Sequence, residues 1–186
     1  HDGVDPGLPQ TVSVAIGNGL PSISSAILSP SVPTTETDIS VTAVTTDPDD
    51  DPVTIAWDWR VNGVPVGDGS DTLGSTYFVR SDSVETIGTP HDGMDAGPPF
   101  TAGPTIVQNT PPEAPTVAIE PRGPTEGTDP LLCTVSPAGV PDVDGDAVSY
   151  AVAWTRDGVV FTGTDTTTIA GDTVPGASTS AGERWT

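Results

Sequence analysis

The stretch DPDDDPVTIAWDWRVNG (47–63) returns without a gap as DVDGDAVSYAVAWTRDG (142–158). No other feature restricts the fold as strongly. A chain that repeats itself at this period is made of equivalent modules, and each module needs its own core. Asp47, Asp49, Asp51, Val53, Trp59 and Gly63 meet Asp142, Asp144, Asp146, Val148, Trp154 and Gly158. Upstream, PSISSAILSPSVPTTETD (21–38) matches PEAPTVAIEPRGPTEGTD (112–129), and a longer loop, SPAGVPD, separates the two matches in the second copy. A third match sets HDGVDPGLPQTVSVAIGNGLP (1–21) against HDGMDAGPPFTAGPTIVQNTPP (91–112). The tail of one repeat therefore precedes a complete repeat. The expected organisation is a tail strand in 1–20, a complete domain in 21–110 and a second domain in 111–186 that lacks its final strand.

The pattern inside each copy is that of strands. Val53, Ile55, Trp57 and Trp59 alternate with Thr54, Ala56, Asp58 and Arg60, and the second copy gives Val148, Tyr150, Val152 and Trp154. Period two puts one face of a strand inward. NGV and DGV follow directly and read as tight hairpin turns. Further strands are expected near 23–28, 39–44, 64–66, 73–79, 83–88 and 104–108. Short strands at this density, with a Trp on the third, predict an all-β fold of two tandem immunoglobulin-like β-sandwiches. The linkers NGLPS and NTPPEAP contain proline, which stiffens a junction. With 21 Gly and 21 Pro the chain could instead be disordered. Four Trp and the regular Val/Ile alternation argue for packed strands broken by turns.

The residues DPDDDPVTIAWDWRVNG and DVDGDAVSYAVAWTRDG resemble the Asp-rich turn and third strand of tandem bacterial Ig-like modules, the PKD and cadherin-like groups of secreted and surface proteins. The resemblance spans nearly the whole chain. It implies a spacer, an adhesin stalk or an appended binding domain at the cell surface. The Trp-Asp-Phe-Gly-Asp-Gly signature of PKD modules is not met, because WDW and GDG are separated by RVNGVPV.

Charge narrows the partners. The chain carries 26 acidic residues against five arginines and no lysine, for a net charge of −21. Such a field argues against nucleic acid and anionic lipid, which require basic patches. It suits an extracellular protein and divalent cations. No run of apolar residues is long enough for a membrane span.

The tail has a consequence for assembly. TVSVAI (11–16) alternates Val12, Val14 and Ile16 with small or polar residues and reads as a last sandwich strand. Passed to the second domain of a neighbouring subunit, it would build a head-to-tail filament. Passed along a longer multi-repeat chain, it would build a stalk. If ERWT (183–186) aligns with ETIG (85–88), about two residues separate it from the next HDG.

Candidate sites follow from the repeat. DVDGD resembles the opening of an EF-hand, but position twelve is Ala153 where a bidentate Glu belongs. A looser calcium site remains, with Asp142, Asp144 and Asp146 converging, and likewise Asp47, Asp49 and Asp51; a solvated Asp/Gly turn is the alternative. The two histidines, His1 and His91, head the HDG copies, which read as turns between the last two strands. Weak ion sites at Asp2 and Asp5 or Asp92 and Asp95 are the other option. Cys133 aligns with Thr42 and reads as a buried thiol or as half of a disulfide. The many Ser/Thr-Pro neighbours allow O-linked glycan. No nucleophile–His pair and no phosphate-cradling loop suggests an enzyme.

Overall fold

The computed structural model describes residues 9–186. It is all-β, and the chain divides into two compact units. Unit 1 holds residues through Pro33 together with Thr37–Val107, and unit 2 holds Thr34–Glu36 with Gln108–Thr186.

Unit 1 has two antiparallel sheets. β1 (Ser22–Ser29), β2 (Ile39–Thr46) and β5 (Thr72–Leu73) form one in the order β1-β2-β5; β3 (Thr54–Val61), β4 (Val64–Val66), β6 (Ser83–His91) and β7 (Phe100–Ile106) form the other in the order β4-β3-β6-β7. Both sheets feed one buried cluster, with Leu28, Ile39, Val41 and Leu73 from the first and Trp59, Val61, Val84 and Ala102 from the second. Two sheets closing on one core is the arrangement of a β-sandwich. The alternation expected from the sequence holds on β3, where Trp59 and Val61 are buried and Thr54 and Ala56 exposed. Asn62 and Gly63 take φ of 52° and 79°, and Asp157 and Gly158 take 50° and 81°. Both positive angles are what a two-residue hairpin between twisted strands demands.

Two expected strands differ. The stretch 73–79 is Thr72–Leu73 followed by a 3-10 turn at Ser75–Tyr77. A continuous strand would send Leu73 and Phe78 to opposite faces, whereas the turn lets both enter the core, at 1% and 4% exposure. The last strand starts at Phe100 and not at 104. It bulges between Val84 and Thr86 of its partner, where Gly103 stands at φ 99°. A Cβ there would meet Leu28 and the Val84 carbonyl at 3.0 Å, so the glycine is sterically required.

Unit 2 repeats the plan with less pairing. β8 (Thr116–Glu120), β9 (Leu131–Ser136) and β12 (Thr173–Val174) form one sheet; β10 (Trp154–Arg156) and β11 (Val159–Phe161) form a hairpin. The expected strand from Val148 is laddered only from Trp154. In unit 1 the equivalent stretch is held by β6, from Thr54↔His91 to Asp58↔Ile87. In unit 2 pairing on that side includes Arg156↔Trp185, reciprocal Thr155–Thr186 backbone bonds of 2.7 and 3.0 Å, and the Asp157 N–H on the Arg184 carbonyl at 2.8 Å.

This register corrects two alignments. Arg60 faces Glu85, and its counterpart Thr155 faces Thr186, so Thr186 stands level with Glu85 and ERWT does not align with ETIG. The extra length lies in the loop between β11 and β12. Cys133 faces Ile119 as Val41 faces Leu28, so its counterpart is Val41 and not the exposed Thr42. Pro130 is the inserted residue, and it moves Cys133 to the core side of β9.

The tail expected as a strand carries no ladder. Val12, Val14 and Ile16 are 96%, 85% and 91% exposed. Among the described residues no helix is long and apolar enough to cross a membrane.

Candidate functional site

The acidic turns fold the same way in both units. In unit 1 Asp47 Oδ1 accepts the N–H groups of Asp49 (2.8 Å) and Asp51 (3.2 Å). In unit 2 Asp142 Oδ1 accepts those of Asp144 (2.9 Å) and Asp146 (3.2 Å). An aspartate that binds its own backbone two residues on is the Asx turn that Asp/Gly-rich loops favour. The fourth residue of each turn enters the left-handed region, Asp50 at φ 60° and Gly145 at φ 78°.

The middle aspartate reaches outward to the linker. Asp49 Oδ2 accepts the Gly19 N–H at 2.6 Å, and Asp144 Oδ2 accepts the Thr110 N–H at 2.7 Å. Gly19 and Thr110 both stand two residues ahead of the proline that opens the first strand, Pro21 and Pro112. The same contact is thus made at the same place twice. Each is a charge-assisted bond, the stronger class. The middle aspartate of each triplet thus fastens the segment that leads into its unit.

The HDG copy at 91–93 adds a second fastening in unit 1. Asp92 is buried, and its Oδ1 accepts the N–H groups of Met94 and Asp95, each at 2.7 Å. Its Oδ2 takes the Asn18 amide at 2.8 Å, and the same amide reaches Asp95 Oδ2 at 3.1 Å. The Asn18 amide, then the Asp95 and Met94 N–H groups, lower the Asp92 pKa to about 2. His91 Nδ1 accepts the Gly93 N–H at 2.8 Å and so closes the turn. His1, Asp2 and Asp5 lie outside the described residues.

Asn18 is the residue that sequence reasoning missed. Its counterpart Asn109 was visible in the repeat, but nothing in the pattern said that either side chain meets a turn. Asp172 was missed as well. It is 1% exposed, and its carboxylate accepts the N–H groups of Thr167 (2.7 Å), Thr168 (2.8 Å) and Ile169 (2.9 Å) and the Thr173 hydroxyl at 3.0 Å. The Ile169 and Thr167 N–H groups lead in lowering its pKa to about 2. Asp172 matches Asp71, as the backbone bonds from Cys133 to Asp172 and from Val41 to Asp71 show, but the N–H groups it holds belong to the longer loop of unit 2, which the repeat does not align.

Two oxygens near the first turn are left over. Asp47 Oδ2 and Asn18 Oδ1 are buried and accept no hydrogen bond. Among the described residues no group of three or more His, Cys, Asp or Glu is disposed to hold a metal ion. Cys133 is a free, half-buried thiol, and burial followed by the nearby Asp172 charge raises its pKa.

No protein-family model and no curated protein matches this sequence.

Proposed function

We propose that this chain is a section of an extracellular stalk or filament built of tandem immunoglobulin-like modules, with a structural and not a catalytic task. The observation that carries this reading is the duplicated fastening, Gly19 to Asp49 and Thr110 to Asp144. A turn that grips the segment leading into its own module fixes where that module's first strand begins, and the two modules do it alike. Proline in the linkers acts in the same sense. The net charge of −21 keeps neighbouring chains soluble and apart. Small-angle scattering tests the reading. The chain should give an extended, stiff particle, and D49A combined with D144A should broaden its distribution of dimensions. A compact particle, or one indifferent to the double substitution, would count against it.

The second reading is a calcium-dependent adhesin or glycan-binding module, favoured by the orphaned oxygens of Asp47 and Asn18. A cation there would be completed by Asp49 and Asp51. A melting temperature that rises with calcium and falls back with EDTA supports it. An unchanged melting temperature removes it.

A further inference from the structure

The asparagine in the fastening of unit 1 carries a chemical liability that its counterpart lacks. Asn18 is followed by Gly19, whereas Asn109 is followed by Thr110. Asparagine before glycine readily loses its side-chain amide, because a residue without a Cβ leaves the next main-chain nitrogen free to approach Cγ. Packing explains why glycine stands there. A Cβ on residue 19 would come within 2.9 Å of the Pro48 ring and 3.1 Å of Asp49 Oδ2. Unit 2 has Val143 in place of Pro48 and accepts a threonine at 110.

The fold restrains each atom that this reaction would use. Deamidation needs the Gly19 nitrogen as nucleophile, and its N–H donates to Asp49 Oδ2 at 2.6 Å. It needs the side-chain nitrogen as leaving group, and Asn18 Nδ2 donates to Asp92 Oδ2 at 2.8 Å and to Asp95 Oδ2 at 3.1 Å. It needs a donor for the negative charge that develops on Oδ1, and that oxygen is buried without a partner. The product fits worse than the reactant. A carboxylate at 18 would turn one oxygen toward Asp92 and Asp95 and the other toward no donor. Like charges at this distance repel, and a buried acceptor without a donor is destabilising. The other Asn-Gly step, Asn62-Gly63, is the contrast. Asn62 Oδ1 accepts the Ser83 N–H at 3.0 Å, and its counterpart Asp157 accepts the Arg184 N–H at 2.9 Å. Unit 2 thus makes that turn with an aspartate.

We propose that Asn18 is a guarded deamidation site, which persists while Asp49 holds the Gly19 N–H and converts irreversibly once that bond opens. In the opened segment the Gly19 nitrogen gives up its proton and attacks Asn18 Cγ. The bond from Cγ to the side-chain nitrogen breaks, and ammonia leaves with the proton. Water then opens the cyclic imide at one carbonyl to aspartate, or at the other to isoaspartate; nothing is oxidised or reduced. The new carboxylate has no N–H to return to Asp92 and Asp95, so the segment leading into unit 1 does not refasten there. Unit 2, with Asn109-Thr110, lacks this step. Unit 1 thus records, in one direction only, that its leading segment has opened.

The test holds the whole chain at mildly alkaline pH and maps it by mass after cleavage at arginine. Arg60 and Arg80 place Asn18, Asn62 and Asn109 on separate peptides, so each rate is read by itself. In the wild type Asn18 should convert more than about tenfold more slowly than in a free peptide of residues 14–23, the factor that one bond to a charged acceptor supplies. D49A should raise the Asn18 rate by about tenfold and leave those of Asn62 and Asn109 unchanged. D49N, which keeps an acceptor without its charge, should fall between. If D49A also raises the Asn62 rate, it has loosened the whole unit, and D49N decides alone. N18D, which imitates the product, should speed exchange of the Gly19 amide. Asn18 converting as fast in the folded chain as in the peptide, or at one rate in the wild type and the Asp49 variants, overturns the guard. Gly19 exchange as slow in N18D as in the wild type overturns the one-way release.

Discussion

Trp59 and Trp154 occupy matching places in the two units, yet they carry different shares of their cores. Each is 1% exposed, and each donates its indole N–H to a backbone carbonyl, Ser70 at 2.8 Å and Gly171 at 2.9 Å. Around Trp59 stand nine other buried hydrophobic residues in one cluster. Around Trp154 the fully buried members are Leu131 and Val174. Unit 2 supplements them with half-buried aromatic contacts: Trp185 stands edge-on to Phe161 at 5.0 Å and to Trp154 at 6.4 Å, and Arg156 lies over the Phe161 and Trp185 rings. The lesson is that a shared anchor does not imply a shared core. The same Trp is one member of a broad core in unit 1 and the centre of a thin one in unit 2.

The sharpest way to break this comparison is to remove the anchor. Truncating a buried Trp costs about 3–5 kcal/mol. W59A should leave unit 1 folded with a lower denaturation midpoint. W154A should abolish cooperative unfolding of unit 2, because a thin core has no surplus to absorb that loss. Denaturation followed by near-ultraviolet circular dichroism reads both. Equal losses in the two units would show that unit 2 has stability its buried cluster does not reveal.

Much of this contrast was legible beforehand, and the limits have physical causes. Period-two alternation placed Trp59 and Trp154 inward because a strand has only two faces. The turns at Asn62-Gly63 and Asp157-Gly158 were legible because their backbone angles suit few other residues. The seat of Cys133 was not, because inserting Pro130 reverses which face each following residue shows. The Asp triplets were found, as a candidate cation site or a solvated turn, but the partners their side chains take were not. Sequence displays carboxylates and says nothing of the backbone N–H groups, those of Gly19 and Thr110 among them, that the fold brings to them.

The buried carboxylates offer the next test. Asp172 in unit 2 and Asp92 in unit 1 both have a pKa near 2, below the usual 3.8. A lowered pKa in the folded state means that each contributes stability above the unfolded value, lost as pH falls from about 4 toward 2. D172N should remove that acid dependence from unit 2 alone and lower its melting temperature at neutral pH, since several backbone N–H groups lose a charged acceptor. D92N should do so in unit 1 alone. Asp71, the exposed counterpart of Asp172 just ahead of β5, provides the control: D71N should change little. Acid titrations followed by tryptophan fluorescence would separate these outcomes, and a shift in both units from either substitution would show that they unfold together.

A smaller effect concerns how each unit fills the same space. G88A forces a methyl group against Trp57 and should cost about 1–3 kcal/mol by overpacking. Pairing W57V with G88V imitates the smaller residue of unit 2 and should recover part of that loss. If the double variant is no better than the sum of its parts, the exchange of ring for side chain is not what distinguishes the two units.

The linker fastenings should give the smallest and most local effect. The Gly19–Asp49 bond lies at an exposed carboxylate, whereas the Thr110–Asp144 bond ends on a residue that is itself buried. Water competes for the first bond more than for the second. D144A should therefore accelerate exchange of the Thr110 amide by a larger factor than D49A accelerates that of Gly19. A bond to a charged acceptor contributes about 1.5–3 kcal/mol, and the exposed one belongs at or below the lower end. In unit 1 the Asn18 amide on Asp92 and Asp95 holds the linker a second time, so D49A alone should leave it attached there. Unit 2 fastens Thr110 through Asp144, and D144A removes that bond outright. Hydrogen exchange at the two amides, measured side by side, decides whether one motif does the same work twice or whether the second grip makes the first dispensable.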